Sequence, residues 1–350
     1  MRRHPSLRSL RLVTETHCTH GLDTGKCSVD LSGFSHLQSL CWIAPNGAAL
    51  PTLSDGIQRN SKQLRHLELD FVCWETLKGY LDTLGTDEIQ PKDWCAEFFG
   101  LTIQPPRLLF PVLRELSLTD VPLVAAMARA VNFETLRSLT LLRCLGWDSF
   151  LARVTELNLP IRLKAFELHI IDATPHDWGR PVVQDFLASS KGLDELFLDE
   201  PGQEHTLSFW DEVAHRQPTL KRFVHHQRTA THSRCSFSSD QVVYNLSLLP
   251  HDMLQIQRDP FANQLHNLPL EFLGLSCHPK DLVRTLSRNS PGPGKLIALS
   301  AYSVGAYRIT LHFQDFAQGT PHPSASCGES WRSLPFLGRE WGSAGPPLGH

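Results

Sequence analysis

Residues 225–235, HHQRTATHSRC, gather His225, His226, His232 and Cys235, the side-chain types of a zinc site. A second group, HCTH, holds His17, Cys18 and His20. The chain has 9 cysteines, yet no CxxC pair accompanies either group, and 18 histidines make such clusters an expected accident of composition. Both groups are therefore read as structural, with no metal. GLDTGKC, Gly21 to Cys27, is close to a phosphate loop, which needs G-x-x-x-x-G-K-S/T so that backbone amides and a hydroxyl surround phosphate and its magnesium. Here the glycines stand one residue too close and Cys27 replaces the hydroxyl, so the stretch reads as a connecting loop. No G-x-S-x-G, H-E-x-x-H or G-x-G-x-x-G occurs, and Asp and Glu do not pair on a recognisable catalytic scaffold. The expectation is a protein that is not an enzyme, with no catalytic residues and no cofactors.

Charge and cysteine usage narrow the class further. A formal net charge of −3 argues against a nucleic-acid binder, which usually carries a basic surplus. The odd, irregularly spaced cysteines suit buried thiols in a reducing compartment, cytoplasmic or nuclear, better than a disulfide framework. MRRHPSLRSLRLV has arginines but no long apolar run, so it does not read as a signal peptide. No stretch of about 18 apolar residues is present to span a membrane. The sequon Asn245-Leu246-Ser247 is read as a chance match.

What the chain does have is a recurring pattern. LRSLTLLRC, Leu136 to Cys144, opens with L-x-x-L-x-L, and the same hexad returns along most of the chain. It appears as LRSLRL from Leu7, LQSLCW from Leu37, LRHLEL from Leu64, LRELSL from Leu113 and LRSLTL from Leu136. It continues as LKAFEL from Leu163, LDELFL from Leu193, LKRFVH from Leu220, LEFLGL from Leu270 and LIALSA from Leu296. The steps between first positions are 30, 27, 49, 23, 27, 30, 27, 50 and 26 residues. VYNLSL from Val243 divides the second long step into two ordinary ones, while the first long step reads as an insertion near 85–111. Alternation inside the hexad predicts a short strand with Leu139 and Leu141 on one side and Thr140 facing out, where its exchange should cost little. VVQDFLASSKG (182–192) and SFWDEVAHRQP (208–218) carry apolar residues at helical spacing between strands, with Gly192 and Pro218 as stops.

These hexads resemble the leucine-rich repeat family, whose unit is L-x-x-L-x-L-x-x-N/C-x-L. The resemblance implies an α/β solenoid: a curved parallel sheet on the concave side and helices on the convex side. Cys144 falls at the family's Asn/Cys position, which implies a buried, inert thiol helping to satisfy the turning backbone. Elsewhere that position holds Pro45, Val121, Ile171 and Pro201, so an asparagine ladder is missing and irregular curvature is expected. FPVLRELSLTDV, NFETLRSLTLLRCLGWDSFLARVTELNLPIRLKAFEL and TLKRFVHHQRT are similar to segments of fungal F-box and leucine-rich-repeat proteins. That similarity implies a non-enzymatic protein–protein interaction module, the substrate-recognition part of a ubiquitin ligase subunit or a remnant of one. Its partners would be a substrate protein and, were an F-box encoded upstream, a cullin-ligase adaptor. No F-box pattern is recognisable in these residues, so a free-standing scaffold or inhibitor is the alternative. With Leu7 so near Met1, the first repeat has no polar cap, and a missing upstream segment or a partner at that end is expected.

In the repeat, the third, fifth and seventh residues face the concave side. From the third to the seventh hexad these include Glu68, Asp70, Glu115, Glu167, Glu195, Phe197 and Asp199, with no Lys or Arg. This face is the expected partner-binding site, suited to a basic segment with Phe197 as its apolar anchor. Residues 1–316 are assigned to an array of about 10–11 irregular repeats. In residues 317–350, 16 of 34 are Gly, Pro or Ser, a composition that cannot build a core, so a disordered tail is expected.

Overall fold

The computed structural model describes residues 6–14, 29–83, 90–101, 108–170, 179–201, 206–228, 250–259, 262–275, 298–302 and 308–312. Each of the ten hexads opens a strand at its third residue. The strands are β1 (Ser9–Val13), β2 (Ser39–Ile43), β3 (His66–Asp70), β4 (Glu115–Thr119) and β5 (Ser138–Leu142). There follow β6 (Ala165–His169), β7 (Glu195–Pro201), β8 (Arg222–Arg228), β9 (Phe272–Leu275) and β10 (Ala298–Tyr302). They form one sheet in strict sequence order, and every neighbouring pair from β1 to β10 is parallel. A further strand, β11 (Arg308–His312), which the hexad pattern does not announce, closes the order antiparallel to β10.

The register aligns equivalent hexad residues in rows. Leu67, Leu116, Leu139, Phe166, Leu196 and Phe223 are successive cross-strand neighbours, as are Leu69, Leu118, Leu141, Leu168, Leu198 and His225. All of these are buried, and so are the leading residues Leu37, Leu64, Leu113, Leu136, Leu163, Leu193 and Leu220. One-residue slips would turn every such row to water, so the alternation pins the register. Helices cover this apolar face. They are α1 (Leu50–Asn60), α2 (Trp74–Thr83), α3 (Pro91–Phe98), α4 (Met127–Ala130), α5 (Trp147–Glu156), α6 (Gly179–Ser189), α7 (Thr206–Arg216) and α8 (Pro250–Arg258). α6 and α7 lie where the helical spacing over 182–192 and 208–218 predicts them. The residues of α1, α5 and α7 that face the sheet, such as Leu53, Ile57, Phe150, Leu151, Phe209 and Trp210, join the strands in one core cluster.

The two long steps resolve differently. Between β3 and β4 the extra length brings α3, whose Trp94 and Phe98 pack on the same core. Trp94 stacks on Phe98 with ring centres 4.6 Å apart and lies 4.8 Å from Trp74. The insertion near 85–111 is thus, over its described part, additional core and not an appendage. The second long step corrects an expectation. Arg222, Phe223, Val224 and His225 of β8 pair directly with Phe272, Leu273, Gly274 and Leu275 of β9. The sheet therefore has no place for VYNLSL as a rung between them. A parallel strand needs both neighbours' backbone groups, and those are already engaged with each other. Residues 243–248 themselves lie outside the described residues, as do the tail 317–350, HCTH, GLDTGKC, Asn245, His232 and Cys235.

The strand-to-helix turns are tight. Ala44, Asp120 and Arg143 each follow a strand with φ of 58°, 54° and 56°, a left-handed conformation that turns the chain out of the sheet. Arg143 Nε donates to Asp120 Oδ2 at 2.8 Å and its Nη2 donates to the Val72 carbonyl at 3.1 Å, so one side chain ties the turns after β3, β4 and β5 together. Cys144 is buried, with Sγ 3.3 Å from the Leu118 carbonyl of β4. Burial pushes its thiol well above the ordinary range, so no reactive thiolate is held there.

The absent asparagine ladder has a counterpart at the opposite end of the strands. Asn60 Oδ1 accepts from Leu37 N–H at 3.0 Å, and Asn60 Nδ2 donates to the Phe34 carbonyl at 2.9 Å. Asn132 Nδ2 donates to the Pro111 carbonyl at 3.1 Å. Gln217 accepts from Leu193 N–H at 3.3 Å and donates to the carbonyls of Leu187 and Ser190. Each amide stands three or four residues before a leading leucine and fastens its unit to the previous one.

Candidate functional site

The third, fifth and seventh residues of each repeat unit share the sheet face that the helices leave uncovered. Three rows cross it from β3 to β8. The first reads His66, Glu115, Ser138, Ala165, Glu195, Arg222. The second reads Glu68, Ser117, Thr140, Glu167, Phe197, Val224, and the third Asp70, Thr119, Leu142, His169, Asp199, His226. All seven residues named from the sequence therefore stand on one face. They do not form one acidic surface. Ser138, Thr140 and Leu142 of β5 separate the acids of β3 and β4 from those of β6 and β7. Strands repeat about every 4.8 Å, so Glu68 stands about 14 Å from Glu167 along the row.

Within each group, local partners reshape the charge. Glu115 Oε2 is 3.1 Å from His66 Nδ1, and both side chains are exposed. Glu195 Oε1 is 3.2 Å from Arg222 Nη1, a neighbour on the next strand beyond the stretch that holds no Lys or Arg. Asp199 Oδ2 is 3.6 Å from His169 Nε2 in a half-buried setting. Burial holds the Asp70 carboxyl above its usual range, against the lowering effects of a 2.9 Å bond from Val72 N–H and the charge of Arg143.

Glu167 is a strongly perturbed acid of the face. Burial pushes its carboxyl up to about 7, against the lowering effect of a bond donated by Thr140 Oγ1 at 3.2 Å. It lies directly across from Phe197, whose ring packs T-shaped with that of His226, centres 5.7 Å apart. Phe197, Glu167, Val224 and His226 thus form a mixed apolar and titratable patch at β6–β8, where an aromatic anchor is rimmed by polar groups. Thr140 requires a correction: it faces outward as the alternation demands but is only 7% exposed and serves as the Glu167 donor. Crowding across neighbouring strands covers it, which alternation along one strand does not register.

The histidine pair of HHQRT divides between the two sides of the sheet. His226 lies on the open face, whereas His225 occupies the sixth hexad position, elsewhere an apolar core residue. His225 is fully buried; Trp210 Nε1 donates to its Nδ1 at 3.1 Å, and its Nε2 meets Glu200 Oε1 at the same distance. An indole N–H only donates, so Nδ1 is the acceptor and Nε2 carries the proton toward Glu200. Among the described residues, no group of three His, Cys, Asp or Glu side chains is placed to hold a metal ion. The sequence flags this polar group only as a histidine at a leucine position. Its partners Glu200 and Trp210 come from two other elements.

No family model, curated protein or solved structure matches the chain. Among the described residues no helix is long and apolar enough to cross a membrane.

Proposed function

We propose that the chain is a leucine-rich-repeat solenoid whose open sheet face binds another protein, as the substrate-recognition part of an F-box-type ubiquitin ligase subunit or a remnant of one. The observation that carries the binding reading is the patch at β6–β8. Phe197 stands there between Glu167 and Val224, with Glu195 and Asp199 on the same strand. An aromatic in such a setting anchors a partner once desolvated, and the acids orient a basic segment while adding modest affinity. The ligase reading rests on the similarity of FPVLRELSLTDV and TLKRFVHHQRT to fungal F-box proteins. The lack of a recognisable F-box in these residues favours a second reading, a free-standing scaffold or inhibitor.

Two measurements test this. Co-purification with a cullin-ligase adaptor is expected under the ligase reading. Failure, with partner binding retained, leaves the scaffold. For the face itself, Glu167→Lys with Glu195→Lys should slow association of a captured partner, and Phe197→Ala should speed its dissociation. Binding should weaken with salt, because exposed charges are screened within about 8 Å at physiological ionic strength. Affinity that survives all three changes removes the site from this face.

A further inference from the structure

The second residue of each hexad forms a row of its own. The amide of Gln38 bonds the Arg8 carbonyl, that of Arg65 the Gln38 carbonyl, and that of Arg114 the Arg65 carbonyl. The ladder continues from Arg137 to Arg114, Lys164 to Arg137, Asp194 to Lys164 and Lys221 to Asp194. These residues line the edge where the strands begin, and Arg8, Arg65, Arg114, Arg137 and Lys164 are all exposed. None of the ion pairs among the described residues engages Arg8, Arg65, Arg114 or Arg137. Arg137 is braced by the carbonyls of Glu134 and Arg162, which hold its guanidinium in place without neutralising it. Toward β7 the row ends electrostatically, since Asp194 sits 3.4 Å from Lys164 and 3.9 Å from Lys221. The molecule is net acidic, so this one-sided file of cations is a local feature and not an overall surplus.

We propose that the strand-start rim from Arg65 to Lys164 docks an extended, Asp/Glu-rich peptide segment of a partner. Four strands at about 4.8 Å place the outer cations about 14 Å apart, and a five-residue extended segment spans about 13 Å. Guanidinium groups bind carboxylates in paired, charge-assisted bonds. A nucleic acid suits the rim less. The file is one charge wide, has Glu115 of the open face alongside it, and no aromatic interrupts it to stack a base. This surface is separate from the Phe197 patch and does not depend on it.

The test is fluorescence anisotropy of the full chain with a fluorescein-labelled peptide alternating glutamate and serine, at low salt. Arg65→Gln, Arg114→Gln and Arg137→Gln together should raise the Kd at least tenfold and flatten its salt dependence. The equal charge change on the helices, Arg59→Gln with Lys92→Gln and Arg129→Gln, should alter it less than twofold. Should loss of the Arg137 brace impair folding, the Arg65→Gln, Arg114→Gln pair carries the test, with about a threefold rise expected. The proposal is overturned if the native chain does not bind the peptide, or if the helix variant loses as much affinity as the rim variant. It is equally overturned if Phe197→Ala removes the binding, or if a labelled oligothymidylate of equal charge binds more tightly.

Discussion

The units at β5 and at β8 occupy equivalent places in the sheet and solve burial in opposite ways. At β5, Leu136, Leu139 and Leu141 are fully buried in one core with Phe150 and Leu151 of α5, and Cys144 joins the same core. At β8, Leu220 and Phe223 keep the pattern, but the sixth position is His225, enclosed with Trp210, Glu200 and Gln227. Both units hold the same register with their neighbours. A buried polar side chain is therefore compatible with the stack when neighbouring elements supply its partners, and the cost of removing a partner replaces the cost of a cavity. Both units are intolerant of lost volume at their buried apolar positions, and the β8 unit is in addition sensitive to the loss of a hydrogen-bond partner.

Breaking the apolar side of this comparison should have the largest effect. Leu139→Ala removes a fully buried side chain and leaves a cavity, for a loss of about 2–5 kcal/mol in urea denaturation. Next comes the polar side. His225→Leu restores the apolar residue type of the row yet takes the acceptor from Trp210 and a donor from Glu200, so stability should fall by about 1–3 kcal/mol. Adding Trp210→Phe should cost less than the sum of the two single changes, a coupling that a double-mutant cycle reads directly. If His225→Leu is neutral, the polar group contributes nothing that leucine cannot.

The open face sharpens the contrast with a pH effect. Ionisation of Glu167 is disfavoured in the fold relative to its ordinary 4.5, so its favourable contribution is complete below that value and is lost as pH rises through about 7. Glu167→Gln should leave stability at pH 4 nearly unchanged and raise it at pH 8 by about 1 kcal/mol, an amount reduced by the partial access of water. Thermal denaturation across that range is the check. The smallest change is Thr140→Val, which removes the Glu167 donor. A loss of about 1 kcal/mol or less is expected, with the Glu167 carboxyl moved further upward in an NMR titration.

Much of this architecture is legible along the chain because each unit repeats one local rule. Leu139 and Leu141 alternate with Thr140, and the same alternation at ten hexads places ten strands with their inward faces known. That rule also puts Glu68, Asp70, Glu115, Glu167, Glu195, Phe197 and Asp199 on one face. It stops at the strand. Whether Glu195 stands alone depends on Arg222, 27 residues on, and whether Thr140 is exposed depends on Glu167, also 27 residues on.

The amino-acid order by itself determined the periodicity, the strand phase and the helices at 182–192 and 208–218, because these follow from which side of a single element is apolar. Only the tertiary structure decided the direct pairing of β8 with β9, the folding of the β3–β4 insertion into the core, the division of the acids into two groups and the enclosure of His225. Each of these depends on which distant segments become neighbours when the units stack. Hydrogen-bond partnership and desolvation act across that stack, at separations that no pattern within one unit records.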